Sequence, residues 1–416
     1  MKTFLIFLLF FVPFVCAEKF AGPDISRPIM FNTPEADKIM SNLQIFPKDN
    51  PWNEDITGKP VHKNSSLMID SCGSGKKLAY NLDMCYIIVP PDQKKINVKL
   101  VDYSDESDPG PYPVPDNATI EGYPIGTSTL DDIQRNGKGD RHCLILDPVN
   151  MKIYEFWQTR KTNDGWQASN EATFDLTTNK TRPIGWTSSD AAGLPIIPAT
   201  IRYDEVAKGI VSHAMRITFV KTRKDFVYPA THYASKLTDD KYPSMGERLR
   251  LKKSVTLDGF SPHPRAILLG MQKYGVFVAD NGGDWRISVC PDSRLKNLDE
   301  LGKIKGNDFE FIEPTTIQTI IQDTAPAPMI SAPAVFGRIG VKNTIDGKTS
   351  ILIKMNDGSR KEIYFSETNF IRDGKKVEDE KLVATGNDAA IVKENGKETI
   401  YIGIDAVKIF KQQVKK

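Results

Sequence analysis

The sequence predicts a mainly β protein: a jelly-roll-like β-sandwich with a few covering helices, followed by a small C-terminal β-barrel. Three observations predict it. Between residues 142 and 220, short apolar runs are broken by turn residues at strand-length intervals. Few stretches carry a helix cap followed by a helical stripe. A Pro/Ala-rich segment without charge, residues 325–334 (APAPMISAPA), then separates the body from a tail whose hairpins sit on Asp-Gly and Asn-Gly turns. The expected parts are a signal peptide at 1–17, a main sandwich at 18–324, the linker at 325–334 and a barrel at 335–416.

The first element reads as an export signal. Lys2 supplies the charged start, residues 4–15 the apolar run, and Val15 and Ala17 the positions before cleavage. The run is shorter than the roughly 20 residues of a membrane helix, and Pro13 interrupts it. A lipid anchor on Cys16 is disfavoured by Val15 before it. The expected protein is therefore secreted, extracellular or periplasmic, without a membrane span. Lys and Arg number 55 against 53 Asp and Glu, with no dense basic tract, so no nucleic-acid partner is expected. Cys72, Cys85, Cys143 and Cys290 remain after cleavage. They pair, most simply Cys72 with Cys85, or they are small buried apolar residues in the runs MCYIIV, HCLIL and ISVC.

In the main body, Thr33-Pro34-Glu35 starts a short helix, with Ile39, Met40 and Leu43 as its stripe. Residues 102–116 (DYSDESDPGPYPVPD) hold too much Pro and Gly for a regular element. Asp102, Asp105, Glu106 and Asp108 are oxygen ligands of the kind that hold a structural Ca²⁺. Their spacing matches no EF-hand, however, and a solvated acidic loop is the simpler expectation. HCLIL-DPVN-MKIYEFW reads as a hairpin, and EATFDL, IVSHAMRITFV and ERLRLKK as further strands. Ser261 caps a helix that Gly275 ends, and VFVAD follows as a strand. Asn281-Gly282-Gly283 turns the chain back into WRISVC, and a last helix spans 297–305.

The middle of the chain concentrates chemistry. Carboxylates, histidines and tryptophans together are what a sugar-cleaving sheet needs: an acid to protonate the glycosidic oxygen, a base or nucleophile, and flat rings for the sugar's apolar face. The catalytic candidates are Asp190, Asp280, Glu155, His142 and His232, and the ligand-binding candidates are Trp186, Trp285, Arg216, Asp284 and His213. No metal site and no cofactor is expected beyond the Ca²⁺ just described. Strand alternation places His213 beside Met215 and Ile217, as a core histidine would be, and leaves Arg216 on the other face, toward a cleft. Trp157 is expected to pack rather than to act as a platform. Asp190 reads equally as a turn cap, and the 280–285 cluster equally as a plain turn.

Long blocks of the chain, among them LQIFPKDNPWNEDI, SSDAAGLPIIPATIRYDEVAKGIVSHAMRITF, PATHYAS and ILLGMQKYGVFVADNGGDW, resemble a family of secreted, mostly bacterial proteins of unassigned activity. The resemblance covers roughly residues 31–311 and implies one main domain and secretion, with no catalytic residue carried over. The tail resembles a small SH3-like barrel. The expected function is binding or cleavage of an extracellular polysaccharide, by a glycoside hydrolase or polysaccharide lyase if the protein is an enzyme. The alternatives are a non-catalytic cell-surface or matrix protein whose C-terminal module binds a partner, and, on scattered histidines alone, a secreted peptidase.

Overall fold

The structure is a computed structural model that describes residues 25–124 and 126–314 and, further on, strand segments between 339 and 402. The expected signal peptide and linker lie outside the described residues. The strands of the body are β1 (Ile29–Met30), β2 (Ala79–Leu82), β3 (Tyr86–Ile88), β4 (Val98–Leu100), β5 (Cys143–Asp147), β6 (Lys152–Trp157) and β7 (Arg160–Thr162). They continue with β8 (Gly165–Ala168), β9 (Asn170–Asp175), β10 (Met215–Phe219), β11 (Arg248–Leu251), β12 (Val276–Asn281), β13 (Arg286–Val289) and β14 (Phe309–Phe311). Three sheets result, with orders β1-β3-β5-β6-β9, β14-β11-β12-β10-β13-β2 and β4-β8-β7.

The β-rich class holds, but these sheets are mixed. β3 pairs with β5, β4 with β8, β10 with β12 and β13 with β2 in parallel. Parallel pairs of this kind depart from the antiparallel jelly roll that the sequence suggests. The physical reason lies in burial, because parallel strands persist where both faces are covered. All five residues of β5 are buried. Its Leu144 and Leu146 join the large core of the six-stranded sheet, with Tyr86, Ile88 and Ile153. Cys143 and Ile145 turn the other way, with Ile87, Val89 and Phe156, into a smaller core that the three-stranded sheet closes with Val98, Trp166 and Ala168. The five-stranded sheet is thus a middle layer, and the unbroken run HCLIL is its mark in the sequence.

The helices are α1 (Pro34–Met40), α2 (Ser65–Ser71), α3 (Leu130–Asn136), α4 (Tyr203–Val206) and α5 (Pro262–Lys273). Thr33 caps α1, its hydroxyl accepting from the Ala36 amide at 3.2 Å. Ser261 stands at the cap position of α5 but gives its hydroxyl to Glu300 at 2.6 Å. Gly275 follows α5 at φ +69° and leads into β12. Between 297 and 305 a 3₁₀ segment, Leu298–Lys303, stands where a helix was expected.

Two expectations about loops are corrected. β12 and β13 do not form a hairpin, because β10 lies between them, pairing with both. The segment 282–285 therefore spans two strand spacings, about 10 Å. The acidic loop is exposed over residues 101–105, as expected of a solvated loop, but it is also docked at several points. Asp102 accepts from Ser169 Oγ at 2.5 Å, Glu106 from the Thr187 amide at 2.8 Å, and Asp108 from the Thr173 amide and Arg182 at 2.9 and 2.6 Å. Among the described residues no three His, Cys, Asp or Glu side chains come together to hold a metal, these acids included. All four cysteines are free and buried, so Cys72 and Cys85 are not paired.

The C-terminal strands are β15 (Ile339–Ile345), β16 (Lys348–Lys354), β17 (Arg360–Glu367), β18 (Ile371–Arg372), β19 (Lys375–Lys376), β20 (Leu382–Gly386), β21 (Ala389–Glu394) and β22 (Lys397–Ile402). β16–β17 and β21–β22 are the two hairpins read from the turns. The strands run β15-β16-β17-β20-β21-β22 as an antiparallel meander, with β18-β19 as a separate pair. No barrel is closed among the described residues.

Candidate functional site

β10 organises the site. Its pairing with β12 slips between Ile217 and Thr218, so that Ala279 has no partner and Asp280 stands opposite Thr218. A bulge of this kind re-aims the side chain that follows it. It brings Asp280 to the side of β10 that carries Arg216, with Arg216 Nη2 3.9 Å from Asp280 Oδ2. Arg216 itself is nearly fully buried and does not open to solvent. It clamps Asp190 through two bonds, Nε to Oδ2 at 2.8 Å and Nη2 to Oδ1 at 2.7 Å, and donates to Ser288 Oγ at 2.6 Å.

His142 enters from the residue before β5. Its Nδ1 lies 2.9 Å from Glu121 Oε2 and its Nε2 2.9 Å from the Ser189 carbonyl. Both neighbours are acceptors, so both ring nitrogens donate and the ring is a cation. Burial works against that charge, yet Glu121 lifts the His142 pKa to about 9. Glu121 is held below its ordinary value, against burial, by His142 and Arg216. Asp83 is raised to about 6 by burial and by Glu121 beside it, and its Oδ1 is buried without a partner. Asp280 is raised to about 7 by burial and by the Asp190 charge, opposed by Arg216 and His142. Glu155 is raised to about 7 because burial outweighs the backbone amides of Ile197 and Ile196 that it accepts from at 2.8 Å each.

A cleft of about 320 Å³ lies over this framework. That volume is at the lower end of ligand sites, roughly 300–1,000 Å³. Tyr103 and Trp157 form an aromatic wall, with ring centroids 6.2 Å apart. Asp280, His232, Asp140 and Asn170 supply polar groups to the same cleft. His232 is oriented twice: Nδ1 donates to the Ala191 carbonyl at 2.8 Å, and its ring lies parallel to that of Tyr233. Gly193 keeps the loop before the cleft in place. At φ +73° it abuts Thr231, and an added Cβ would stand 2.0 Å from the Thr231 hydroxyl.

Of the five catalytic candidates, Asp280 and His232 reach the cleft. Asp190, Glu155 and His142 do not line the cleft; they are buried and engaged by Arg216, by the Ile196 and Ile197 amides and by Glu121. The ligand-binding candidates are corrected further. Trp285 is 0% exposed, packed edge-on against Phe219 and donating its indole N–H to the Cys72 carbonyl at 2.9 Å, which leaves no ring face for a sugar. Asp284 pairs with Lys76 and accepts from the Val220 amide at 2.8 Å, pinning the long 282–285 connection. His213 is buried against Glu205 and the Ala214 carbonyl in a separate network with Arg202. Arg216 faces the Asp190 side of the sheet and no cleft. Trp186 does not line the cleft and lies under the Arg182 guanidinium, 5.5 Å from its ring centroid.

Trp157, expected to pack, is half-buried and lines the cleft instead. It shares a face of β6 with Glu155 while Phe156 fills the smaller core, and it stands at the strand end where the sheet opens. Tyr103, Asp140 and Asn170 were missed. Tyr103 was hidden among the acids of its loop, and Asn170 pairs directly with Trp157 across β6 and β9, a register that no local pattern specifies. Comparison with protein-family models, with curated proteins and with solved structures finds no match for this chain, so its function is argued from the geometry of this cleft.

Proposed function

We propose that this chain is a secreted, carbohydrate-active protein that binds an extracellular polysaccharide in the cleft and cleaves it with Asp280 as general acid. One observation carries the proposal: the Tyr103–Trp157 wall and a carboxyl held near pH 7, at about 7, share one cleft. An aromatic wall stacks on the apolar face of a sugar ring. A carboxyl that stays protonated near neutrality is what protonation of a glycosidic oxygen requires. Asp190 is consumed by Arg216, so the second carboxylate falls to Asp140, which lines the cleft and is exposed. His232 stands by to orient the attacking water or the sugar hydroxyls. In this proposal the C-terminal meander is a small barrel following the linker.

The test is a screen of polysaccharides for release of soluble oligosaccharides, with wild type and Asp280→Asn compared on any substrate that is found. General acid catalysis is worth about 10²–10⁴-fold, so Asp280→Asn should lose at least about 100-fold in rate while keeping its affinity. Binding without product reduces the protein to a sugar-binding one. Neither binding nor product, on any glycan, ends the proposal and leaves the non-catalytic surface protein in its place.

A further inference from the structure

The polar lining of the cleft is unbalanced. Asp140 and Asp280 line it, and no Lys or Arg does. The cations beside it are buried and engaged: the Arg216 side chain is 5% exposed and clamps the fully buried Asp190, His142 is 3% exposed and bound to Glu121, and Arg182 is held by the Thr187 carbonyl and Asp108. Three neutral groups on the lining have hydrogen-bonding capacity left. Asn170 donates Nδ2 to the Ser188 carbonyl at 2.6 Å, and its buried Oδ1 has no partner. His232 holds its Nδ1 against the Ala191 carbonyl at 2.8 Å, so Nε2 is the ring nitrogen left for a ligand. The Ser189 hydroxyl, also on the lining, is buried without a partner.

With the exposed Asp140 carboxyl on the lining and no cation beside it, the cleft favours a ligand that brings positive charge. An ammonium group brings three donors and a positive charge, hydroxyls bring donors without charge, and a carboxylate or sulfate brings negative charge to face that carboxyl. We propose that the cleft selects sugars by charge, taking amino sugars first and neutral sugars second, and rejecting uronates and sulfated sugars. This rests on the carbohydrate reading of the cleft. The selectivity is chiefly electrostatic, since Asp140 is exposed and its attraction for an ammonium weakens with salt.

Calorimetric titration of the full chain with three hexamers, of glucosamine, of N-acetylglucosamine and of galacturonate, tests it at about pH 6.5 and low salt. The glucosamine hexamer is expected to bind about tenfold tighter than the galacturonate one, the N-acetylated hexamer in between, with the gap narrowing as salt is added. Asp140→Asn, an exposed change that leaves the framework intact, should shrink the gap about two- to fivefold. Equal or tighter binding of the galacturonate hexamer overturns the charge selection and leaves the carbohydrate reading standing. Binding of none of the three also overturns the charge selection, and the carbohydrate reading then stands or falls on the polysaccharide screen.

Discussion

Two aspartates flank Arg216, and their surroundings part them. Asp190 is fully buried and held at both oxygens, whereas the Asp280 side chain is a quarter exposed and only 3.9 Å away from the guanidinium. One is therefore locked in an ion pair, and the other keeps an open side toward the cleft. Asp280 is protonated below about 7 and ionised above, so any turnover that uses it as an acid should fall as pH rises through about 7. The pH profile of wild type against a flat, low profile for Asp280→Asn checks this, with Asp190, Arg216 and His142 as the charges that set the midpoint. The Asp190 clamp makes a different prediction. Arg216→Met strands a buried carboxylate, at a cost of about 3–5 kcal/mol in urea unfolding. Adding Asp190→Asn should return about 2 kcal/mol of that, because the stranded charge is then gone. Full additivity of the two changes would mean that the pair does not act as one.

At the scale of elements, the legible parts were those written in local chemistry. Thr33-Pro34-Glu35 gave α1, Gly275 closed α5, the Asp147-Pro148 turn gave β5–β6, and the Asp-Gly and Asn-Gly turns gave β16–β17 and β21–β22. Which strands become neighbours was not legible. The insertion of β10 between β12 and β13 depends on contacts between distant segments, and no pattern within residues 276–289 announces it. The site followed the same division. His142, Glu155, Asp190, Arg216, His232 and Asp280 do meet, but their division into framework and cleft is set by burial, which residue type alone does not give. The loop at Gly193 carries the prediction proper to this scale. Gly193→Ala adds a Cβ at positive φ against Thr231, and should cost about 2–4 kcal/mol. The loss should also weaken any ligand held by His232, since Thr231 and His232 both hang from the Ala192 carbonyl. Thermal melts with and without ligand measure the two effects separately.

Across the whole molecule, buried acids set the response to pH. Asp83 at about 6, and Glu155, Glu247 and Asp280 at about 7, all lie above their unfolded values. Their contribution to stability is complete below the unfolded value and is lost as pH rises through the folded one, so it fades from roughly pH 4 to 7. His142, at about 9, loses its share between about 6.5 and 9. Glu121 and Glu205, both lowered, act in the opposite sense, and their share is lost as pH falls below about 4.5. The melting temperature should therefore peak near pH 5 and fall by about 5–10 °C toward pH 9. A maximum at pH 8 or above would contradict these raised buried carboxyls.

The six-stranded sheet also dictates when the chain can fold. β2, at its edge, finds its partner β13 some two hundred residues later, and β11 waits for β14. A nascent chain released as far as β10 holds neither neighbour of that strand, so the sheet cannot assemble in step with synthesis and must form at the end, after a long search. Until then β10, with its Arg216, has no interior to be buried in. A chain with this timetable stays threadable until its last strands arrive, and it is vulnerable to stray association for just as long.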